Sequence, residues 1–477
     1  MSFFTADNLQ RMTRGRWVVQ PPRAMQPLVG VGTDTRADLR GRAFFALRGE
    51  NHDGHDYLAQ AAAAGAAALV IDRDPPVGGP SIPTLRVQST RAALGDLARE
   101  YRRTLRSARV IAITGSAGKT TTKHLLHAIL RRKFTGTAAI KSFNNDIGVP
   151  LTILSADSRD QYLVLEAGSN GPGEITALCA TIQPDIGIIT SIGRSHLEGL
   201  ESVQGVAREK VQLLYALPRE GLAIVPAGCP ALDGMLGDVP ARLVRVGTAR
   251  DAQVQLTGRG RQKSGWWFEV DLDQRYWLQL PGRHNALNAM MAIAAAQELG
   301  LSDEEIRPAL ESAMPPDMRM TRCTVNGIEF FNDAYNANPD SMMASLEAFA
   351  EAAADDSRRV AILGDMLELG HDSGSLHEEV GRFLAENRDR LGIAAVALVG
   401  RSAMHYVQGM NGAFADGELL EVEDLTKRGA LQALYGFLAP GDAVLVKGSR
   451  RLALERIIDG MHGQGAIGQR PVTSSIS

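Results

Sequence analysis

The sequence predicts an α/β fold of three domains, and three observations support this prediction. The length of 477 residues exceeds what one hydrophobic core usually serves, because cores stop growing near roughly 250–300 residues and domains average roughly 150. Apolar stretches of strand length alternate with helical patterns, which is typical of βαβ units. Breaks near Val87 and at Pro315-Pro316 divide the chain into three blocks.

The first block, residues 1–87, is predicted to be a small mixed α/β domain. A stretch rich in small residues at 57–68 predicts a helix, and the apolar residues 69–72 predict a short strand. A charged amphipathic pattern over about 90–105 predicts the helix that leads into the next block.

The second block, residues 88–314, is predicted to be a mainly parallel sheet with helices on both faces. Apolar runs at 109–114, 162–166 and 186–191 predict its strands. Residues 265–270 and 275–280 flank a turn and predict an antiparallel hairpin, and an Ala/Met-rich stretch at 285–299 predicts the closing helix.

The third block, residues 315–477, is predicted to be a Rossmann-like α/β domain. Three apolar runs, 359–364, 394–400 and 443–448, each end at glycine and predict buried parallel strands. No G-x-G-x-x-G motif occurs in this block, so the similarity to nucleotide-binding sheets is limited to the strand pattern. The Gly/Ser-rich tail from about residue 463 is predicted to be disordered.

Composition excludes several classes of function. The balance of 51 Lys and Arg against 54 Asp and Glu gives no general attraction to nucleic acid or anionic membranes. Three widely spaced cysteines argue against a disulfide framework or a cysteine metal cluster and suit a reducing cytoplasm. The first residues turn polar too early for a signal peptide, and no apolar run reaches the roughly 20 residues that span a bilayer. We expect a cytoplasmic monomer without stable membrane insertion.

The strongest single motif is a phosphate loop. Residues Ile113 to Thr120 read I-T-G-S-A-G-K-T between an apolar strand and a helical pattern. Glycines at 115 and 118 allow the backbone to approach a phosphate, and Lys119 and Thr120 are the residue types that meet phosphate oxygens and Mg²⁺. The usual spacing has glycine at the position of Ile113, so an ordinary glycine-containing turn stays an alternative.

Three further residues are ambiguous from the sequence alone. Glu166 ends a predicted parallel strand, where a carboxylate suits Mg²⁺, but a solvated glutamate would fit equally well. His196 follows the next strand, and a lone histidine is more often a loop or core residue. Lys210 lies among charged residues of a helical pattern, where a solvated surface lysine is the ordinary interpretation.

Taken together, these motifs resemble the Mur ligases, ATP-dependent amide-forming enzymes of peptidoglycan precursor synthesis. The family's phosphate loop reads T-G-[TS]-x-G-K-T, which accounts for Ile113. The resemblance extends from Thr33 to about Ile458 and includes the motifs at 32–36, 45–49, 53–55, 144–150, 166–170, 196–199, 281–288, 332–339, 363–370 and 445–450. Tyr-Asn-Ala-Asn-Pro at 335–339 and Gly-Asp-Met-Leu-Glu-Leu-Gly at 364–370 resemble the member that adds D-alanyl-D-alanine to UDP-N-acetylmuramoyl-tripeptide.

The resemblance implies roles for individual residues. ATP would be bound by Gly115, Ser116, Ala117, Gly118, Lys119, Thr120, Thr121, Asn288, Arg319 and Asp333. Two Mg²⁺ ions would be held by Thr120 and Glu166, and by His196 and a carbamylated Lys210. The UDP moiety would contact Thr35, Arg36, Asp53 and His55, and the muramoyl-peptide would lie near Asn145 and Asp146. The incoming amino substrate and the closed state would involve Tyr335, Asn336, Asn338, Lys447 and Ser449.

The implied activity is an ATP-dependent ligation through an acyl phosphate and a tetrahedral intermediate. Catalysis would involve Lys119, Glu166, His196 and Lys210. The implied products are UDP-N-acetylmuramoyl-pentapeptide, ADP and phosphate. A ligase of the same superfamily that acts on a shorter peptide or on folate is the nearest alternative. A P-loop phosphotransferase or regulatory NTPase is the alternative from another class.

Overall fold

The computed structural model describes residues 3–49, 52–74, 78–79, 81–140, 142–262 and 265–467. Within these residues, three separate sheets are each flanked by helices, and the sheets are mostly parallel. The predicted three-domain α/β fold is confirmed. No helix of the described residues is long and apolar enough to cross a membrane.

The first sheet has five strands in the order β1-β5-β4-β3-β2. They are β1 Arg16–Val19, β2 Val31–Gly32, β3 Ala43–Phe45, β4 Ala68–Ile71 and β5 Thr84–Arg86, with helices α1 Ala6–Thr13 and α2 Leu58–Ala63. Strand β1 is antiparallel to β5 and the other pairs are parallel. The prediction of one helix over 57–68 was wrong in extent. A 3-10 turn precedes α2, and Gly65 at φ +89° follows its last turn, a conformation that commonly ends helices.

The central sheet has nine strands in the order β14-β13-β12-β11-β10-β9-β6-β8-β7. They are β6 Arg109–Thr114, β7 Gly136–Ala138, β8 Tyr162–Glu166, β9 Ile186–Ile189, β10 Leu222–Pro226, β11 Arg242–Gly247, β12 Val254–Gln262, β13 Gly265–Val270 and β14 Gln274–Leu278. The helices are α3 Thr90–Arg102, α4 Lys119–Leu130, α5 Gly148–Ser155, α6 Glu174–Ile182, α7 Leu197–Leu200, α8 Val203–Lys210, α9 Gln212–Tyr215, α10 Pro230–Asp233, α11 Arg283–Glu298 and α12 Asp303–Glu311. Strands β12 to β14 are antiparallel, which confirms the predicted hairpin.

The faces of strand β6 show why this sheet is buried on both sides. Ile111 and Ile113 pack with helices α4 and α11, whereas Val110 and Ala112 pack with α3, α5 and α6. Because side chains alternate along a strand, an uninterrupted apolar run is required where both faces are covered. Helix α3, which the predicted boundary at residue 88 assigns to the central domain, also packs against α1 of the first domain.

The third sheet has six strands in the order β15-β16-β20-β17-β18-β19. They are β15 Thr321–Val325, β16 Ile328–Asn332, β17 Arg358–Gly364, β18 Ile393–Val399, β19 Leu419–Val422 and β20 Asp442–Lys447, with helices α13 Pro339–Ala352, α14 Ser373–Leu391, α15 Ala403–Met410, α16 Ala430–Phe437 and α17 Glu455–Ile467. Strand β15 is antiparallel to β16 and the other pairs are parallel. Helix α17 continues to Ile467, and the disorder of the tail from about residue 463 stays a prediction. Residues 468–477 lie outside the described residues.

The order of the central strands determines where the site lies. Strands β8 and β9 are the two neighbours of β6, with Ile113 opposite Glu166 on one side and Ile188 on the other. The carboxyl ends of parallel strands meet at one edge of a sheet. The phosphate loop, Glu166 and the segment after β9 therefore converge there.

Candidate active site

The phosphate loop connects β6 to the start of α4 and requires its two glycines. Gly115 has φ +149° and Gly118 has φ +87°. A Cβ at residue 115 would lie 2.0 Å from the Thr190 hydroxyl, and a Cβ at residue 118 would lie 2.3 Å from Oδ1 of Asn288. Asn288, predicted from the resemblance to contact the nucleotide, thus lies against the loop.

The segment after β9 holds the first half of this loop. The Ser116 amide donates to the Ser191 carbonyl at 2.9 Å, and the Ala117 amide donates to Ser191 Oγ at 3.0 Å. The Gly193 amide donates to Ser116 Oγ at 3.0 Å. The first four N–H groups of a helix have no partner within the helix, so the start of α4, including Thr120 and Thr121, provides donors for a phosphate.

Lys119 lies at this helix start and folds back onto its own loop. Its Nζ donates to the Gly115 carbonyl at 2.5 Å. The pKa of Lys119 is lowered to about 8, mainly by burial; the carboxylate of Glu166 opposes this shift and the positive charge of Arg319 adds to it. The charge that a bound phosphate would meet is therefore partly desolvated before binding, which strengthens its electrostatic interactions.

Glu166 is fully buried and is contacted by two side chains of helix α4. Thr120 Oγ1 donates to Glu166 Oε2 at 3.0 Å, and Lys123 Nζ lies 2.9 Å from Glu166 Oε1. The alternative of a solvated strand-end glutamate is excluded. Lys123 was missed in the sequence, although it lies one helical turn after Lys119 and so shares a face of α4 with it.

His196 lies between two domains of the structure. It has φ +54°, and its Nδ1 lies 2.7 Å from Oε2 of Glu368 in the third domain. The hydrogen bond from His196 lowers the pKa of Glu368. The alternative of a core histidine is excluded, since its side chain retains 18% exposure at the edge where the strands end.

Lys210 is fully buried, which excludes the surface-lysine interpretation. Its Nζ has no hydrogen-bond partner among the described residues. Its pKa is lowered to about 7, mainly by burial and also by the charge of Lys119, while Glu209 and Glu174 oppose the shift. The adjacent Glu209 accepts hydrogen bonds from the amides of Gly173 and Ile175, each at 2.7 Å, and so fixes this part of α8 against the start of α6.

The third domain contributes directly to the phosphate region. Arg319 donates to Thr120 Oγ1 at 3.1 Å, and its guanidinium lies 4.4 Å from the ring centre of Tyr335. In the same domain, Lys447 Nζ pairs with Asp333 at 2.7 Å and donates to the Asn336 carbonyl at 3.2 Å. Five of the residues that the resemblance implied therefore form two contact groups, and Arg319 joins the first of these to Thr120.

Two other residues of the third domain that the resemblance implied, Asn338 and Ser449, accept hydrogen bonds from backbone amides of their own domain. Oδ1 of Asn338 accepts from the Ser341 amide at 2.8 Å and caps α13. Ser449 Oγ accepts from the Leu367 amide at 2.8 Å. In the central domain, Asn145 similarly accepts from the amide of Gly148 at 2.9 Å at the start of α5.

The predicted contacts to the substrate's UDP moiety form a separate group in the first domain. Arg36 pairs with Asp34 at 2.7 Å and its side chain is 89% exposed, while Thr35 donates to Gln60 at 3.3 Å. His55 is buried, with Nδ1 2.6 Å from Asp53. Asp146, assigned to the muramoyl-peptide, pairs instead with Arg91 at 2.9 Å. Of these residues, Arg36 is the most exposed cation. The His55 ring instead contacts Asp53 of its own loop.

The residues at this edge fit the metal ions that the resemblance implies. The hydroxyl groups of Ser169 and Ser195, which follow Glu166 and precede His196, are buried without partners among the described residues, as is Nζ of Lys210. No group of three or more His, Cys, Asp or Glu side chains in the described part of the chain could hold a metal by itself. This donor set suits Mg²⁺, which binds through one or two protein oxygens together with phosphates and waters.

Comparison with known proteins identifies Mur ligase domains over most of the chain. The Mur ligase family catalytic domain matches residues 27–102, the Mur ligase middle domain matches 113–296, and the glutamate ligase domain of Mur ligases matches 318–450. The proposed boundaries after residues 87 and 314 stay predictions.

Individual relatives cover nearly all of the sequence. The UDP-N-acetylmuramoyl-tripeptide–D-alanyl-D-alanine ligase of Bacillus subtilis is 33% identical, over 95% of this chain and 97% of the relative. The enzyme of that name from Escherichia coli is 33% identical, over 92% and 94%. A crystal structure of MurF from Acinetobacter baumannii matches with a TM-score of 0.85 at 30% identity and covers 96% of this chain and 99% of that one. The chain belongs to the Mur ligase family.

Proposed function

We propose that this chain is an ATP-dependent ligase that joins D-alanyl-D-alanine to UDP-N-acetylmuramoyl-tripeptide, giving the pentapeptide, ADP and phosphate. The observation that carries the proposal is the group of Lys119, Thr120, Glu166 and Arg319, which combines a phosphate loop with a cation from another domain. Relatives with this printed activity match more than nine tenths of the chain, and the Tyr335 and Glu368 motifs both lie at the site.

The reaction requires activation because a carboxylate does not acylate an amine at neutral pH. The tripeptide carboxylate attacks the γ-phosphorus of ATP and ADP leaves, which forms an acyl phosphate. The amine of D-alanyl-D-alanine then attacks the acyl carbon and loses a proton, and phosphate leaves from the tetrahedral intermediate. Lys119, Arg319 and the helix start are the protein groups that bind and orient the phosphates.

Two Mg²⁺ ions complete the proposed site. Thr120 and Glu166 would hold one, and His196 with a modified Lys210 would hold the other. When bound, the ions neutralise phosphate charge, which allows two anionic reactants to approach. Lys123, whose Nζ lies 2.9 Å from Glu166 Oε1, holds this carboxylate in position beside Thr120.

The modification proposed for Lys210 is a carbamate formed from CO₂. The neutral amine attacks the carbon of CO₂ and releases one proton, so the reaction needs an unprotonated lysine. A pKa of about 7 leaves roughly half of the amine neutral at pH 7. The buried Nζ without a partner provides a position for the added carboxylate.

Carbon-13 bicarbonate labelling tests this modification. We expect a carbamate carbon resonance in the enzyme with an ATP analogue and tripeptide substrate, and its absence in Lys210→Gln. Lys427→Gln, which changes a lysine with 58% exposure, should retain the signal. An unlabelled Lys210 in the ligand-bound enzyme would contradict the carbamate.

The first domain is proposed to bind the UDP part of the substrate through Thr35, Arg36 and the Asp53–His55 loop. Arg36 is bound here only to Asp34 among the described residues, so its guanidinium can exchange that partner for a phosphate. We also propose a monomer that works in the cytoplasm without nucleic acid, in agreement with cysteines that are free.

One assay separates this function from its alternatives. ADP release should require both UDP-N-acetylmuramoyl-tripeptide and D-alanyl-D-alanine. Lys119→Ala should lower kcat by at least about 100-fold, because the enzyme loses the positive charge that would contact the transferred phosphoryl group. Turnover with a free amino acid in place of the dipeptide would favour another ligase of the superfamily, and ADP release without the dipeptide would favour a phosphotransferase or NTPase.

A further inference from the structure

The loop 364–370 of the third domain reaches into the central domain at His196. Its Glu368 is the carboxylate 2.7 Å from His196 Nδ1. Backbone contacts accompany the side-chain contact, since the Glu198 amide donates to the Glu368 carbonyl at 3.2 Å. A Cβ at Gly370 would lie 3.2 Å from the Glu198 Cα. The loop and helix α7 therefore approach each other at backbone distance.

Hydrogen bonds within the third domain hold this loop in place independently of its contact with His196. The Leu367 amide donates to Ser449 Oγ at 2.8 Å, and the Met366 amide donates to His377 Nε2 at 2.9 Å. Leu369 is buried in the core of the third domain, and Leu197, the residue after His196, packs against the same core. Glu368 has φ +64° and His196 has φ +54°, and non-glycine residues in this region persist where the surroundings determine them.

The contact selects one nitrogen of the imidazole ring. A carboxylate oxygen 2.7 Å from Nδ1 favours a proton on that nitrogen, so a neutral ring then presents an unprotonated Nε2 with a free lone pair. Metal-binding histidines generally donate their other ring N–H to a carboxylate or carbonyl, which fixes the tautomer and the ring orientation. We propose that Glu368 is a positioning residue that prepares His196 Nε2 for the second metal ion, and that docking of the third domain thereby completes this metal site.

The proposal rests on the metal-binding role proposed for His196, but it adds a residue from another domain. It assigns the Gly-Asp-Met-Leu-Glu-Leu-Gly motif the role of orienting His196. Ser449 supports this role because it holds the loop that carries Glu368. It also predicts that the affinity for the second metal ion depends on how the two domains are joined.

Nitrogen-15 NMR of histidine-labelled, metal-free enzyme tests the positioning role without metal or activity. The His196 resonances are assigned by their loss in His196→Ala. We expect a protonated Nδ1 and an unprotonated Nε2 in the wild type. Glu368→Ala should shift the ring toward the Nε2–H tautomer that free histidine prefers, and Glu368→Gln, which keeps an accepting oxygen, should retain part of the wild-type pattern.

Glu379→Ala is the matched control. Glu379 lies in the same domain, is 36% exposed against 40% for Glu368, and contacts Arg194 instead of His196. It loosens the same contact between domains without touching the ring, so the His196 tautomer should stay as in the wild type. A shift equal to that of Glu368→Ala would show that only domain docking matters and would overturn the positioning role.

Electron paramagnetic resonance of free Mn²⁺, with a non-hydrolysable ATP analogue present, provides the second readout. The second metal site is identified as the one whose Mn²⁺ affinity falls in His196→Ala. Glu368→Ala should lower the Mn²⁺ affinity of that site by at least about tenfold, as generally follows when the partner of a metal-binding histidine is removed. Unchanged Mn²⁺ binding in Glu368→Ala, with weakened binding in His196→Ala, would overturn the positioning role of Glu368 and leave the metal-binding role of His196 intact. Unchanged binding in both would also remove His196 from the proposed metal site.

Discussion

The first and third domains are attached to the central domain by different kinds of contact. One continuous apolar cluster joins the first and central domains, and it includes Trp17, Phe45, Leu97, Leu163 and Ile175 among its buried members. Helix α3 lies in the middle of this cluster, where Tyr101 also donates to the Ala156 carbonyl at 2.7 Å. We call this contact the apolar joint.

Ion pairs recur at the contact between the central and third domains, where Leu197 and Trp266 also pack against the core of the third domain. Arg194 binds Asp340 at 2.7 Å and Glu379 at 2.5 Å, and Arg259 binds Glu351 at 2.7 Å. The pairs with Asp340 and Glu351 bind helix α13 near its two ends, since Asp340 lies in its first turn and Glu351 in its last. We call this contact, together with His196–Glu368 and Arg319–Thr120, the charged joint.

The difference indicates which domain moves. Burial of apolar area is not reversed at low cost, whereas half-exposed ion pairs contribute about 1 kcal/mol or less each. An acyl phosphate is easily hydrolysed, so the site must exclude water during the reaction and open to release product. We infer that the first domain stays fixed and the third opens and closes. Solution scattering that gave identical dimensions with and without an ATP analogue and substrate would contradict this inference.

The largest effect is expected from a cavity in the apolar joint. Leu97→Ala should lower the free energy of unfolding by about 2–5 kcal/mol, because the removed side chain is buried and leaves a cavity. Hydrogen exchange followed by mass spectrometry should show faster exchange in both the first and the central domain.

Leu384→Ala is the matched control, since it removes the same atoms from a fully buried position in the core of the third domain. Its faster exchange should be confined to residues of the third domain. If the faster exchange in Leu97→Ala were confined to residues before 88, the first domain would unfold independently and the shared core would not act as a joint.

The contrast between the joints also explains what the sequence could predict. The strand, phosphate loop and start of α4 are consecutive, and β8 and β9 flank β6, so Lys119, Thr120 and Glu166 could be assigned from local pattern together with the family resemblance. The extent of α2 was wrong because Gly65 adopts a positive φ that the alanine pattern conceals.

Contacts of the charged joint could not be predicted in the same way. Arg194 and Asp340 are 146 residues apart, and a surface arginine has the same sequence signature whether its partner is local or in another domain. Lys123 could have been found from its helical spacing to Lys119, whereas Glu368 stood out only through its motif, without a partner. The pairing of charges across a joint is set by tertiary structure.

A smaller effect, on activity rather than stability, is expected from Arg194→Ala. Loss of both carboxylate contacts should raise the KM for D-alanyl-D-alanine about tenfold, equivalent to about 1.4 kcal/mol, because the closed state is less populated. The free energy of unfolding should change by less than about 1 kcal/mol. Arg245→Ala is the control, since Arg245 is equally exposed at 23% and also binds two carboxylates, both within the central domain. An equal rise in KM for both variants would contradict the charged joint.

Acid should destabilise the boundary between the central and third domains through His284, a residue of helix α11 that is influenced by charged residues of both domains. Its pKa is lowered to about 4, mainly by burial; Lys447 and Arg259 contribute to the lowering, and Asp333 and Glu347 oppose it. The ordinary pKa is 6.5, so the unfolded chain binds the proton first as pH falls. The stability associated with neutral His284 is fully present above pH 6.5 and is lost progressively toward pH 4.

Urea unfolding between pH 7 and 4.5 measures this loss. His284→Gln should show a shallower decline of the free energy of unfolding than the wild type, because the variant has no imidazole to protonate in the unfolded state. His371→Gln, which changes a histidine with 87% exposure, should follow the wild-type slope. A wild-type slope in His284→Gln would show that His284 does not cause the loss of stability in acid.

The smallest effect is expected from salt, and it separates the two joints directly. The screening length falls from about 10 Å at 0.1 M to about 3 Å at 1 M, so the half-exposed Arg259–Glu351 and Arg194–Asp340 pairs should weaken while the apolar joint does not. The radius of gyration of the ligand-free enzyme should rise slightly with NaCl in solution scattering. The rise should vanish in an Arg194→Ala/Arg259→Ala double variant, which is already open at low salt. A rise of the same size in that double variant would assign the expansion to another part of the molecule, since the pairs that salt is expected to screen are absent from it.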